Sequence, residues 1–278
     1  MNRWILGARP RTLPAAIAPV IVAVAIAYPT IDLFNALLAL IVGLSLQIAV
    51  NYANDYSDGI KGSDADRIGP IRLVASGLAS AAEVKRAAFF AFGIGAVAGL
   101  YLSFRTSYWL IAIGAAAIIA AWRYTGGANP YGYRGLGEVY VFIFFGLVAT
   151  LGTYFGQTGE ITVEAIMAAI SNGAIACALL AVNNIRDIEG DTKVNKKTLA
   201  VRLGDTRARR FYMFLIFIAI FSSFTVTILA ALGIFPALKL LNEIKFRKGK
   251  ELISVLSATG KFQLILGSLI SIGTLVNI

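Results

Sequence analysis

No histidine occurs among the 278 residues, and there is one cysteine, Cys177. The first absence removes the commonest general base, haem ligand and transition-metal ligand. The second excludes disulfides, cysteine-ligated zinc and iron–sulfur centres within one chain, and leaves Cys177, inside an apolar run, as a small packing residue. Charge is sparse too: 14% of residues are charged against 58% hydrophobic, and the mean hydropathy is +0.76. That balance excludes a soluble domain and predicts an all-α integral membrane protein that crosses the lipid bilayer many times. No small-residue cleavage site follows the first apolar run, so that span is expected to stay in the protein. For metal binding only oxygen donors remain, Asp, Glu and Asn, which suit hard cations such as Mg²⁺.

Apolar spans are expected near 13–28, 33–53, 87–104, 107–122, 138–156, 163–182 and 211–233, with a last one near 262–277, all in a single domain, 1–278. Residues 2–14, with Trp4, read as an amphipathic interfacial entry, and Pro14 and Pro19 predict a kink in the first span. The 25 basic residues against 15 acidic ones give a net charge of +10. In a soluble protein this excess would suggest nucleic acid, but here it is topological. With a cytoplasmic N-terminus, the loops on that side carry Lys61, Arg67, Arg72, Lys85, Arg86, Arg123, Arg134, Arg186, Lys193, Lys196, Lys197 and further arginines, while the opposite side has only Arg105. By the positive-inside rule the N-terminus of this cell-membrane protein is cytoplasmic. The stretch 211–241 fits poorly: about 31 residues make about 46 Å of helix, too long for one crossing and too short for two with a turn.

Two polar clusters stand at span ends on the expected cytoplasmic side. If the second span stays helical, Asn51, Asn54, Asp55 and Asp58 fall at i, i+3, i+4 and i+7 and share one face. After the sixth span, Asn184, Asp187 and Asp191 repeat the i, i+3, i+7 spacing. The echo is weak evidence for two pseudo-repeat halves, about 1–125 and 126–278. Carboxylates at membrane helix ends are expensive to keep, and two facing clusters repel unless cations lie between them. Mg²⁺ bridging the carboxylates to a diphosphate meets that need. Arg67, Arg72, Arg186, Lys193 and Lys197 are candidates for neutralising the remaining phosphate charge, although each also serves topology. The Gly-rich stretch 126–137 follows no strand and lacks nucleotide-loop spacing, so it reads as a lid or a plain turn.

Asn54-Asp55-x-x-Asp58, the following Lys61-Gly62-Ser63-Asp64-Ala65-Asp66-Arg67, and Asp187-x-x-x-Asp191 together resemble the UbiA superfamily of intramembrane aromatic prenyltransferases. Ala8-Arg9-Pro10-Arg11-Thr12, Tyr131-Gly132-Tyr133-Arg134-Gly135-Leu136-Gly137-Glu138 and Asn183-Asn184-Ile185-Arg186-Asp187 sharpen the likeness toward the branch that prenylates 1,4-dihydroxy-2-naphthoate for menaquinone. The resemblance implies nine transmembrane helices around a central cavity, a polyprenyl diphosphate donor and an aromatic acceptor, with loss of the ring carboxylate. It also implies Mg²⁺–diphosphate held by Asn54, Asp55, Asp58, Asp187 and Asp191. Gly62 departs from the family pattern, which has a further Asp there, so Asp64 or Asp66 is expected to substitute. An allylic cation needs a dry aromatic wall, for which Tyr56, Tyr124, Tyr131 and Tyr133 are candidates, each also readable as part of an interfacial belt.

Other readings weigh less. A prenyltransferase of the same type with another acceptor (4-hydroxybenzoate, homogentisate or a glycerol-phosphate lipid) shares every motif. A CDP-alcohol phosphotransferase would concentrate its carboxylates in one motif, and the Ala-Arg pair it needs is missing after Asp58-Gly59. A cation-coupled transporter would place them at mid-membrane rather than at span ends on one side.

Overall fold

The long apolar runs become helices, four of which start at a side-chain cap. In the computed structural model, which describes residues 2–62 and 71–276, the elements in chain order are α1 Arg3–Ala8, α2 Pro14–Ile26, α3 Leu33–Ile60, α4 Ala81–Arg105 and α5 Trp109–Arg123. They continue with α6 Gly137–Val141, a π-helical stretch Phe142–Val148, α7 Ala149–Thr158, α8 Val163–Lys193, α9 Leu199–Phe224, α10 Ile234–Phe246 and α11 Leu252–Leu275. Asp32 caps α3, Ser80 and Glu83 form a capping box on α4, and Thr162 and Thr198 cap α8 and α9. These side chains occupy orphan amides that lipid could not satisfy. No strand occurs among the described residues. The kink expected within the first span lies instead just ahead of it: the chain bends by 52° between Arg3–Thr12 and Pro14–Ile26, and α2 runs through Pro19 as one helix.

Polar contacts show which turns share an end of the bundle. At one end Arg105 pairs with Asp32 at 2.8 Å and donates to Asn35 Oδ1 at 2.7 Å, while Asn35 donates to the Gly156 carbonyl at 2.9 Å. The α2–α3, α4–α5 and α7–α8 turns therefore meet there. At the opposite end Arg3 reaches the Leu78 carbonyl at 2.9 Å, Lys61 the Thr125 carbonyl at 2.7 Å, and Tyr133 the Asp58 carboxylate at 2.9 Å. Both polar clusters lie at this second end. The entry segment packs on the bundle: Tyr52 donates to the Trp4 carbonyl at 2.7 Å, and the Asn51 amide holds the Ala8 carbonyl at 2.9 Å.

The awkward stretch 211–241 is not one continuous helix. Helix α9 is broken at Gly204 (φ 73°), ends at Phe224, and after a 3-10 turn over Ile228–Gly233 the chain reverses into α10. Arg209, near the start of α9, donates to the carbonyls of Ile244 and, at 2.9 Å, Arg247, at the end of α10. The pair is thus a helical hairpin that returns the basic residues 245–250 to the end bearing the clusters. The last helix starts at Leu252, ahead of the expected 262, because Gly249–Glu251 leads straight into it.

Among the described residues, five helices are long and apolar enough to cross a membrane, or six with the bent entry pair counted as one span. The shorter α5, α9 with its charged first turns, and α10 complete the bundle. Packing between the π-helical stretch and α8 is backbone against backbone at Gly146 and Gly173. A β-carbon at Gly146 would overlap the Gly173 α-carbon and stand 3.0 Å from the Ala169 carbonyl oxygen. Gly146→Ala is therefore expected to destabilise the protein by about 1–3 kcal/mol through overpacking, seen as a lower thermal midpoint in detergent. An unchanged midpoint would show that the two helices separate freely.

Candidate active site

The first cluster is helical, as its spacing requires, because α3 runs on to Ile60 and not merely to the end of the apolar run near 53. Asn51, Asn54, Asp55 and Asp58 are all buried on it. They do different things. Asp58 sits at the mouth of a central cavity, accepts a hydrogen bond from Tyr133 at 2.9 Å and lies 4.0 Å from the Arg72 guanidinium. Asn54 lines the cavity and accepts from Thr125 at 2.8 Å. Asp55 points elsewhere: its two oxygens accept from the backbone amides of Leu73 (2.8 Å) and Val74 (3.1 Å), which fixes the chain where it re-enters the bundle.

The second cluster extends α8 in the same way, to Lys193. Asp187 is gripped by its neighbour Arg186 through two bonds of 2.7 and 2.8 Å, and Arg186 also donates to Asn183 at 2.8 Å. Asn184 lines the cavity and donates at 3.0 Å to Glu138, whose second carboxylate oxygen is buried with no partner among the described residues. Asp191, a turn further on, faces the first cluster across a lysine. The Lys196 ammonium lies 3.6 Å from Asp58 and 3.7 Å from Asp191. It also sits over the Tyr133 ring at 5.2 Å, and Lys61 lies over the same ring at 4.9 Å. Burial lowers the Lys61 pKa, a pull that the Asp58 carboxylate opposes and the Lys196 ammonium assists.

The cavity, about 310 Å³, leads from these polar groups into an apolar interior between α2, α3, α5, α8 and the π-helical stretch. Tyr124, Tyr131, Tyr140, Phe144 and Phe145 form an aromatic wall, with Tyr131 and Tyr140 stacked at 3.8 Å. Burial, with the Glu138 carboxylate adding to it, raises the Tyr124 pKa well above the phenol range, and burial raises Tyr131. Both phenols therefore stay protonated and the wall stays uncharged. The Gly-rich segment 126–137 carries Tyr131 of this wall and Tyr133 at the mouth. It is anchored by the Gly132 amide to the Tyr124 carbonyl at 3.0 Å and by the Lys197 amide to the Tyr133 carbonyl at 3.1 Å. It is a bonded cover over the mouth.

Of the residues singled out from sequence, Asn54, Asp58, Arg72, Asn184, Tyr124 and Tyr131 line the cavity, and Asp191 and Tyr133 stand at its mouth. Tyr56 does not: it stacks on Trp122 at 6.0 Å under Lys85. The Lys193 and Lys197 side chains are exposed, and Arg186 is committed to Asp187 and Asn183. Asp64, Asp66 and Arg67 lie outside the described residues. Lys196, Glu138, Tyr140 and Phe144 were not foreseen. Lys196 differs from its neighbours only by following Asn195, whose left-handed backbone (φ 54°) turns the chain back so that the Lys196 amide bonds the Asp191 carbonyl at 2.8 Å.

The donor set fits a hard cation. The shared ammonium shows that the two carboxylates are spaced to hold one positive charge between them. Among the described residues no three His, Cys, Asp or Glu side chains form a closed metal site. An ion held here would take its remaining ligands from amide oxygen, water or the oxygens of a bound phosphate, as Mg²⁺ does.

Residues 16–252 match the model of the UbiA prenyltransferase family. A 1,4-dihydroxy-2-naphthoate octaprenyltransferase of Mycobacterium tuberculosis is 46% identical over 272 residues, spanning 95% of this chain and 93% of that protein. A protein of the same name from Escherichia coli is 41% identical over 218 residues, covering 75% of this chain and 71% of its own length. Among solved structures, a UbiA homolog from Archaeoglobus fulgidus bound to GPP and Mg²⁺ superposes with a TM-score of 0.72 at 14% identity, over 99% of this chain and 100% of that one. At that identity the likeness is one of fold.

Proposed function

Because the chain belongs to the UbiA prenyltransferase family, we propose that it transfers a polyprenyl group from its diphosphate to 1,4-dihydroxy-2-naphthoate, releasing diphosphate and CO₂ on the way to menaquinone. The observation that carries this reading is a cavity walled by aromatic rings that ends at two carboxylates sharing the Lys196 ammonium. A membrane-embedded prenyl chain fits the apolar part and its diphosphate fits the charged mouth. In this reading the mouth faces the cytoplasm from the cell membrane, in keeping with the basic loops gathered at that end.

Asn54, Asp58 and Asp191 would hold Mg²⁺, with Asp64 as a further candidate ligand and Asp187 another once it exchanges Arg186 for the ion. The ion's contribution when bound is to neutralise charge building up on the departing diphosphate. Arg72 and Lys196 add fixed positive charge on the same side. The cavity wall does the complementary work. Tyr124, Tyr131, Tyr140 and Phe144 offer ring faces to an allylic cation and keep out the water that would quench it. Because the buried phenols stay protonated, the wall presents no oxyanion for the cation to alkylate. The hydroxylated ring of the acceptor supplies the electrons for the new carbon–carbon bond, so no covalent enzyme intermediate is needed.

Purified protein in detergent, given a polyprenyl diphosphate and 1,4-dihydroxy-2-naphthoate, should form a prenylated, decarboxylated naphthol. EDTA should abolish the product and excess Mg²⁺ restore it. Absence of product with any aromatic acceptor, together with ion flux in liposomes, would overturn the reading in favour of transport.

A further inference from the structure

We infer that Lys196 is a built-in counter-cation that occupies the gap between Asp58 and Asp191 until a divalent ion and a diphosphate arrive together. The inference rests on the proposed Mg²⁺–diphosphate chemistry of this site and adds an order to it. Three observations carry it. The ammonium stands almost equally far from the two carboxylates, at 3.6 and 3.7 Å. It is backed by the Tyr133 ring at 5.2 Å, whose hydroxyl holds Asp58 at 2.9 Å. Its backbone is fixed from both sides, by the left-handed Asn195 before it and by the bonds from its own amide to Asp191 and from the Lys197 amide to Tyr133. A solvated surface lysine needs none of these.

The electrostatics follow directly. A divalent ion entering alone must displace the ammonium from both carboxylates, which puts a freed cation in a confined site beside Arg72. An ion that arrives with a diphosphate brings an anion, and the ammonium moves from carboxylate to phosphate oxygen. Ion and diphosphate therefore each raise the other's affinity, and linkage requires the coupling to be the same in both directions. The Lys193 and Lys197 side chains are exposed, whereas Lys196 is the lysine turned in to both carboxylates.

Full-length protein in detergent is titrated with Mg²⁺ alone, with inorganic pyrophosphate alone and with both, following thermal stability and, with Mn²⁺ in place of Mg²⁺, bound metal by electron paramagnetic resonance. In the unaltered protein either ligand alone should bind weakly and the pair strongly. Lys196→Met should bind the metal alone at least about tenfold more tightly and lose about tenfold in affinity for pyrophosphate with metal present. Lys196→Arg, which keeps the charge, should stay close to the parent. A Lys196→Met protein that binds metal no more tightly than the parent overturns the inference, as does tight binding of metal alone to the parent. If Lys196→Met does not fold, Lys196→Gln supplies the same comparison. Because no acceptor is present, failure of prenyl transfer would leave this result standing and be recognised separately.

Discussion

Asp58→Asn should reduce prenyl transfer by a factor of about 10³, far more than any fall in its folded fraction explains. Asp58 is the point where the site's positive charges converge: Lys196, Arg72 and the Tyr133 hydroxyl all reach its carboxylate. Asparagine keeps the shape and loses the charge, so one wall of the proposed ion site becomes neutral. Losing one preorganised group that stabilises developing charge costs about 10²–10³ in kcat, and a ligand to the ion itself belongs at the upper end, about 4 kcal/mol of barrier. The check is steady-state kinetics over a Mg²⁺ titration. Full activity with unaltered Mg²⁺ dependence would remove Asp58 from the site.

Asp55, three residues earlier on the same helix, should behave in the opposite way. It is fully buried, and both oxygens receive backbone amides, from Leu73 and Val74. Bonds to a charged acceptor contribute about 1.5–3 kcal/mol each, and removing the acceptor strands two buried donors. Asp55→Ala is expected to cost about 3 kcal/mol or more of stability, read as a lower thermal midpoint in detergent. The protein that remains folded at low temperature should keep much of its turnover. A large loss of turnover at unchanged stability would instead make Asp55 a ligand of the ion, as the family motif implies.

The pair shows how far the sequence could be read. Spacing alone put Asn51, Asn54, Asp55 and Asp58 on one helical face, and the helix is there. A face is broad, however, and one helical step decides whether a carboxylate meets the cavity or the returning chain. That choice depends on where Leu73 and Val74 come back, a tertiary fact with no local signature. Lys196 was hidden for a similar reason: among several basic residues in one loop, only the left-handed Asn195 distinguishes it, and asparagine adopts that conformation too occasionally to be a signal. Glu138 has no local signature of a site residue, because its burial follows from α6 packing on α8. Helix ends were misplaced for one physical cause. Hydropathy stops where side chains turn polar, whereas the α3 and α8 backbones continue into the polar mouth. At 211–241 the polar residues Ser222, Ser223, Thr225 and Thr227 mark the reversal, with Thr227 capping the 3-10 turn, but hydroxyls are too weakly polar to break the hydropathy of the run.

The short helices bear on the lipid around the protein. Helix α10 has 13 residues and α5 has 15, about 20 and 22 Å of rise, whereas a bilayer's hydrocarbon core is about 30 Å thick. The long helices α3 and α8 impose no such limit. The 3-10 turn Ile228–Gly233 runs directly into α10 and lengthens that span, so the mismatch falls on α5, toward which the bilayer must dip at a fraction of a kcal/mol per ångström. Since α5 contributes Leu110, Ile113, Gly114 and Ala117 to the cavity wall, the dip lies beside the cavity. Acyl-chain length in the host membrane thus becomes a mechanical variable acting on the cavity wall.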